Sequence, residues 1–590
     1  MITNITISNH NFKIALGLII LIQVVLAFQG FDMVDDGFVL TFYQQIFNHP
    51  ESVEYNFMYW FSGVVGGLWY QLYPEGGVFW FRMLSVIVNT STFMLSYQLL
   101  KKYVPNTVLL LALIMVLFEN NYGFSTFYHN HLTALLCLLT VFTLVKAIER
   151  NSAFLYMLTG VLIIFNSFTR LPNVVMLSLL LGIPYFCVLY KKRVISNSIK
   201  PIVLVILGSV VGLLAVYGIL LATGQFKVMK DMFVMLLDLG NTDGSAHNFG
   251  HILKAQFYNY QQIARTFVEL SAILGVAVLA QRFLPKHKLV TLILGIFFVS
   301  LLILWYEREG IGSVYTLSYI GSIWILFSKK RFIPLKLIAL CSFLILFTLT
   351  LGTGGGIKNS GYMAIWLGLP LFFLVLPELV TFVQTIINKI LPAGNSMESK
   401  PNFSLLWCFI LAFILLKGYH ISNQAYFDEG SRLDKTHAIQ NKFAKGVYTK
   451  ARRAKIVNDL LAGLRNYVEP NDYLFSYDHI PMIHFLTETR PYPYNSWVGI
   501  YDENSFRKKI EKAEKEIPVL PIVVQQKFNT IYRFAAPDPD YMNPESANTI
   551  LHSSASVKIM NSFLERHHYT IVWSNDYFNI YKAETIAKAH

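Results

Sequence analysis

Charge is scarce in this chain of 590 residues: Asp, Glu, Lys and Arg make up 14% of it, against 54% hydrophobic and 15% aromatic residues. Soluble domains carry about a quarter charged residues, so a water-facing surface over the whole length is excluded. A mean hydropathy of +0.47 says the same. Cysteine is also scarce. Cys137, Cys187, Cys341 and Cys408 lie in or beside apolar runs, and none follows Leu416, which excludes a disulfide framework and a Cys-x-x-Cys metal site. The region after Leu416 lacks both G-x-G-x-x-G and a P-loop, so ATP chemistry there is not indicated. The net charge of +13 comes from short basic groups between apolar runs rather than one basic segment, which argues against a nucleic-acid partner.

Long apolar runs are present instead. A membrane helix needs about 20 mostly apolar residues, and about thirteen runs qualify. They centre on residues 14–28, 78–100, 104–118, 131–145, 154–168, 173–190, 201–222, 266–283, 289–305, 311–327, 335–351, 362–387 and 403–416. The first lacks a basic n-region and a small-residue cleavage pattern, so it reads as a span rather than a signal peptide.

Loop charge sets the orientation. With the N-terminus inside, alternate loops carry Lys101, Lys102, Lys146, Arg150, Lys191, Lys192, Arg193, Lys200, Arg282, Lys286, Lys288, Lys329, Lys330, Arg331, Lys336, Lys389 and Lys400. That is roughly twice the cations of the opposite set, Arg82, Arg170, Lys227, Lys230, Lys254, Arg265, Arg308 and Lys358, which the positive-inside rule therefore places outside. The uncharged stretch Tyr55 to Tyr73 is tempting as a further span, but inserting it would invert every later loop. It is expected to lie along the surface, with Phe57, Phe61, Val64, Leu68 and Leu72 at helical spacing, as are Phe38, Phe42 and Ile46 before it. An odd span count then places the C-terminus outside a cell membrane.

Two regions follow: a membrane region, 1–416, with external loops at 29–77 and 223–265, and an extracytoplasmic α/β domain, 417–590. In the latter, Ile456, Val457, Leu460, Leu461 and Leu464 mark an amphipathic helix, and 472–477, 519–525, 569–574 and 578–583 read as strands.

Chemistry concentrates after the first span, in FDMVDDGF, where Asp32, Asp35 and Asp36 stand together. Carboxylates contribute little to topology, and here each is repelled by its neighbours and by anionic headgroups, so a task explains them better than chance. Helix capping is the alternative, assigned chiefly to Asp36. An external acidic pair between the first span and a surface helix resembles the GT-C superfamily of integral membrane glycosyltransferases, such as protein O-mannosyltransferases and lipid A aminoarabinose transferases. The resemblance implies a GT-C-like polytopic α-helical fold with interfacial helices. It also implies a polyprenyl-phosphate-linked sugar as donor, a lipid, glycan or protein acceptor, and Asp35 as the catalytic residue with Asp36 beside it; the second residue here is Asp where the family often has Glu. A base at Asp35 that takes the acceptor proton fits an inverting transfer.

A leaving phosphate needs positive charge on the same face. Arg170, in the tight turn SFTRLPN, is the first candidate for binding the donor phosphate, joined by Lys254 and by Lys358 in the glycine-rich segment 352–363. His129 and His131 begin a span nearby. The loop 223–265 reads as a substrate loop with His247, His251 and Tyr260; the two histidines have i, i+4 spacing, but HExxH is missing. No cofactor is indicated by a motif, and a divalent metal is compatible. Competing readings are an oligosaccharide ligase or polymerase using diphosphate-linked donors, and a transporter or flippase built on Glu269 and Glu378 in apolar segments.

Overall fold

The computed structural model describes all residues except 1–8, 120–124, 242–248, 285–286, 352–354, 392–404, 529–533, 535, 539, 546–547, 550–551 and 585–590. Among the described residues, helices cover most of each of the thirteen apolar runs. In chain order the helices up to the C-terminal domain are α1 (Asn9–Ala27), α2 (Asp35–Gln45), α3 (Trp60–Leu72), α4 (Gly77–Leu100), α5 (Asn106–Glu119), α6 (His129–Arg150), α7 (Ala153–Thr169), α8 (Gly182–Leu189), α9 (Val194–Ala222), α10 (Phe226–Asn241), α11 (Phe249–Phe283), α12 (Lys288–Glu309), α13 (Ile311–Phe327), α14 (Ile333–Thr348), α15 (Gly356–Ile390) and α16 (Leu405–Asn423). A 3-10 stretch, Leu171–Leu181, leads into α8. Among the described residues eight helices are long and apolar enough to cross a membrane, and five of the predicted runs sit on shorter apolar helices, those of α1, α5, α7, α13 and α14.

Small residues let these helices approach closely, as is usual where lipid offers no hydrophobic drive for association. At the α7–α9 crossing a Cβ on Gly160 would stand 2.0 Å from the Val205 carbonyl oxygen, and one on Gly208 would stand 1.9 Å from that of Met157.

After α16 the chain forms a five-stranded mixed sheet, with β1 (Tyr473–Tyr477), β2 (Arg490–Pro491), β3 (Ile522–Gln526), β4 (Tyr569–Ser574) and β5 (Phe578–Ala583) in the order β2-β1-β3-β5-β4. β1 pairs parallel with β2 and β3; β5 pairs antiparallel with β3 and β4. Helices α17 (Ala451–Leu464), α18 (Met482–Thr487), α19 (Glu503–Glu516) and α20 (Ser554–Arg566) accompany it, and Ile456, Val457, Leu460, Leu461 and Leu464 are all buried.

The loop after α1, expected to lie along the membrane surface, is packed rather than open. From Asp36 onward α2 is buried throughout, because its residues share one apolar core with the C-terminal domain: Phe38, Phe42 and Ile46 belong to the same cluster as Phe475, Ile483 and Val523. Buried Glu54 fastens this loop to α19 by ion pairs with Lys509 and Lys512. Only the far end of α3 keeps an apolar face outward, Leu68 and Leu72 being 52% and 72% exposed. The stretch expected as the loop 223–265 is largely helix: α10, then the extension of α11 beyond its apolar run.

Candidate active site

The three aspartates separate into three environments. Asp32 caps α2: its Oδ1 accepts from the Val34 amide at 2.7 Å and its Oδ2 from the Asp36 amide at 2.8 Å. The capping expected of Asp36 thus falls to Asp32, whose side chain precedes the first turn and meets its unpaired N–H groups. Asp36 is 3% exposed and its Oδ2 is taken, accepting from Thr126 Oγ1 at 2.7 Å and from Arg82 at 3.3 Å. Asp32 is 2% exposed. Asp35 alone of the three keeps accessible surface, and its Oδ2 accepts a hydrogen bond from the Tyr426 phenol.

Proton affinity follows from these surroundings. Desolvation pushes the Asp35 carboxyl up to about 6; the Tyr426 hydrogen bond opposes this and the Asp36 charge adds to it. Burial also raises Asp32 and Asp36, with Arg82 and Thr126 opposing the rise at Asp36. A carboxyl near 6 is ionised at neutral pH yet basic enough to accept a proton.

Arg170 comes inward for a local reason. Pro172 lacks the N–H that would continue α7, so Arg170 takes an extended conformation between α7 and the 3-10 stretch. It is 6% exposed, with its guanidinium 3.5 Å from the Leu349 carbonyl. Tyr59, Tyr128 and Tyr362 lie within electrostatic reach of both Asp35 and Arg170. The His129 ring stacks on Tyr59 at 3.8 Å, and His131 Nδ1 caps α6 by accepting from the Tyr128 amide at 3.2 Å. Asp35 and Arg170 thus act on the same three tyrosines.

The remaining predicted residues stand elsewhere. Lys254 is exposed on α11 with its ammonium 6.0 Å from the Tyr258 ring centre, and Lys358 is exposed on the first turn of α15. His251 is exposed on α11, and His247 lies outside the described residues. Half-buried Tyr260 packs its ring on Phe347 at 5.8 Å. Among the described residues no group of three or more His, Cys, Asp or Glu is placed to hold a metal ion.

Three contributors escaped the sequence reading: Arg82, Thr126 and Tyr426. Arg82 carried a signal, an arginine inside the apolar run of α4 on the face where cations are sparse. It is 2% exposed and also donates to the Ala27 and Gly30 carbonyls at 2.8 Å each, tying α4 to the acidic segment. Tyr426 carried none, being separated from Asp35 by the whole membrane region.

No protein-family model and no curated protein sequence matches the chain. Several solved structures resemble it, two of which are as follows. One is the archaeal oligosaccharyltransferase AglB from Archaeoglobus fulgidus in complex with an inhibitory peptide and a dolichol-phosphate: 10% identity, TM-score 0.42, over 88% of this chain and 70% of that one. The other is the Archaeoglobus fulgidus oligosaccharyltransferase tethered to an acceptor peptide containing the NVT sequon: 9% identity, TM-score 0.40, over 88% and 69%. Likeness at this level leaves the function to be argued from the geometry.

Proposed function

We propose that the protein is a GT-C-type membrane glycosyltransferase, which transfers a sugar from a polyprenyl-phosphate donor to a lipid, glycan or protein acceptor on the extracytoplasmic face. The observation that carries the reading is a pairing of roles: a partly accessible carboxylate pushed up to about 6, Asp35, coupled to the same tyrosines as a buried arginine, Arg170. In the reaction the acceptor oxygen attacks the anomeric carbon while its proton passes to Asp35. The bond from that carbon to the phosphate oxygen breaks, and its electron pair stays on the phosphate, where Arg170 stabilises the added charge. Attack opposite the leaving group inverts the anomeric centre. Asp36 holds the acidic segment in place through Arg82 and Thr126 rather than meeting substrate. Lys254, Lys358 and His251 are exposed and stand apart from Asp35 and Arg170, so they are given no role in the reacting centre.

A membrane-embedded groove supports a lipid-linked donor. A cavity of about 680 Å³ runs between α11, α13, α14 and α15, lined by Tyr260, Phe267, Leu274, Tyr319, Phe347 and Phe382 among others. Its outer end at Phe347 is two residues from Leu349, whose carbonyl faces Arg170. A prenyl chain buried there would present its phosphate toward Arg170. The acids that favoured a transporter have partners instead: Glu269 pairs with Arg308 and Glu378 with Arg331.

The test is sugar transfer from synthetic polyprenyl-phosphate donors by the purified protein, wild type against Asp35→Asn. Loss of transfer in a folded variant is expected. Full activity in Asp35→Asn would sink the assignment.

A further inference from the structure

We propose that Tyr426, on the turn joining the last membrane helix to the C-terminal domain, is a positioning residue for Asp35, holding one carboxylate oxygen so that the other is presented to the acceptor hydroxyl. The proposal rests on the reading of Asp35 as a base. Its geometry, however, is independent of that reading.

The turn is closed by reciprocal backbone hydrogen bonds between Ala425 and Asp428, at 3.2 and 3.1 Å, which leave Tyr426 and Phe427 at its tip with rings stacked at 4.3 Å. Asp428 anchors it. That buried carboxylate accepts from the Thr449 hydroxyl at 2.6 Å and from the Phe31 amide at 2.9 Å, and it pairs with Lys435 at 3.1 Å and Arg453 at 3.4 Å. Arg453 in turn donates to the carbonyls of Phe31 and Phe427 at 2.9 and 2.8 Å. Phe31 adjoins Asp32 in the acidic segment, so one buried charge network grips both the segment that bears Asp35 and the turn that bears Tyr426. The phenol is therefore held against the carboxylate by the fold rather than by a mobile loop.

The chemical need is specific. Desolvation and the Asp36 charge both favour the protonated acid, which cannot serve as a base. A donor to the carboxylate favours the ionised form, and Tyr426 provides it while leaving the second oxygen unclaimed by that bond. Among the described residues the other groups coupled to Asp35 are Asp32 and Asp36 from its own segment, Tyr59 at the end of the 3-10 stretch Pro50–Tyr59 before α3, Tyr128 at the start of α6 and Tyr362 on α15. None of these is a cation, and Arg82 is spent on Asp36. This arrangement also makes the C-terminal domain part of the site.

The test uses the full chain in nanodiscs with Tyr426→Phe. The protonation midpoint of Asp35 is read from its infrared carboxyl band, identified by its loss in Asp35→Asn. Removing the phenol hydroxyl is expected to raise that midpoint by about one to two pH units. The acidic limb of transfer should move with it, lowering kcat at neutral pH with little change in KM. A midpoint equal to that of wild type overturns the proposal whatever the transfer assay gives. A raised midpoint with no transfer by either protein upholds the Tyr426–Asp35 relationship and defeats the transferase reading instead.

Discussion

Arg82 reaches Asp36 from the second membrane helix, with 3.3 Å between guanidinium nitrogen and carboxylate oxygen and both side chains shut away from water. A buried pair contributes little net stability, but removing one partner strands the other charge. Arg82→Met is therefore expected to destabilise the protein by about 3 to 5 kcal/mol, more than Asp36→Asn, which keeps a polar group for Thr126. Thermal unfolding in detergent of both single variants and the double variant measures it; a double variant no better than Arg82→Met would refute the coupling.

Asp35 links activity and stability in opposite senses. Its folded-state value, near 6, lies above the ordinary value of 3.8, so the folded protein holds this proton more tightly and loses stability as pH rises from about 4 through about 6. Asp35→Asn is expected to remove the penalty and stabilise the protein at pH 8 by about 3 kcal/mol at most, while transfer is abolished. Unfolding midpoints at pH 4 and pH 8 decide it: the gain should appear at the higher pH only.

Arg170→Gln keeps a polar side chain in the turn but removes the charge. If Arg170 stabilises the leaving phosphate, kcat should fall by about 100-fold or more, with much less loss for Lys254→Gln or Lys358→Gln at exposed positions. Equal losses across the three would place the phosphate elsewhere.

Gly37 is the point where α2 presses on the C-terminal domain. A Cβ there would stand 2.1 Å from the Met482 backbone nitrogen, itself bonded to the Met33 carbonyl at 3.0 Å. Gly37→Ala is expected to push the two apart and destabilise by about 2 kcal/mol or more, as overpacking against backbone does. The shift in unfolding midpoint measures it, with Gly17→Ala, which meets nothing within 4 Å, as the control.

Asp428 carries the reverse pH dependence to Asp35. Burial raises its proton affinity, but Arg453 and Lys435 outweigh it and hold the carboxyl below its ordinary value. The resulting stability is present above about pH 4 and is lost as pH falls through the lowered value. Asp428→Asn should flatten the acid limb of the unfolding curve; a limb unchanged from wild type would locate acid lability in other groups.

The apolar runs, their helical conformation and the amphipathic pattern of α17 were legible in the chain because length, hydropathy and period are local properties. The acidic trio was legible as a cluster too, since three carboxylates beside an apolar run conflict with their surroundings. Their division of labour was not. Which aspartate caps a helix, which is neutralised by an arginine and which stays open depends on where Arg82, Thr126 and Tyr426 arrive, and these approach from α4, the segment before α6 and the turn after α16 respectively. Likewise 38–46 showed a helical apolar pattern, but only the packed domain above it decided that α2 would be buried on every side. Sequence by itself determined which segments seek the membrane and where charge is costly; the tertiary structure alone decided which costly charge is left accessible, because desolvation and hydrogen bonding are set by neighbours 46, 90 and 391 residues away.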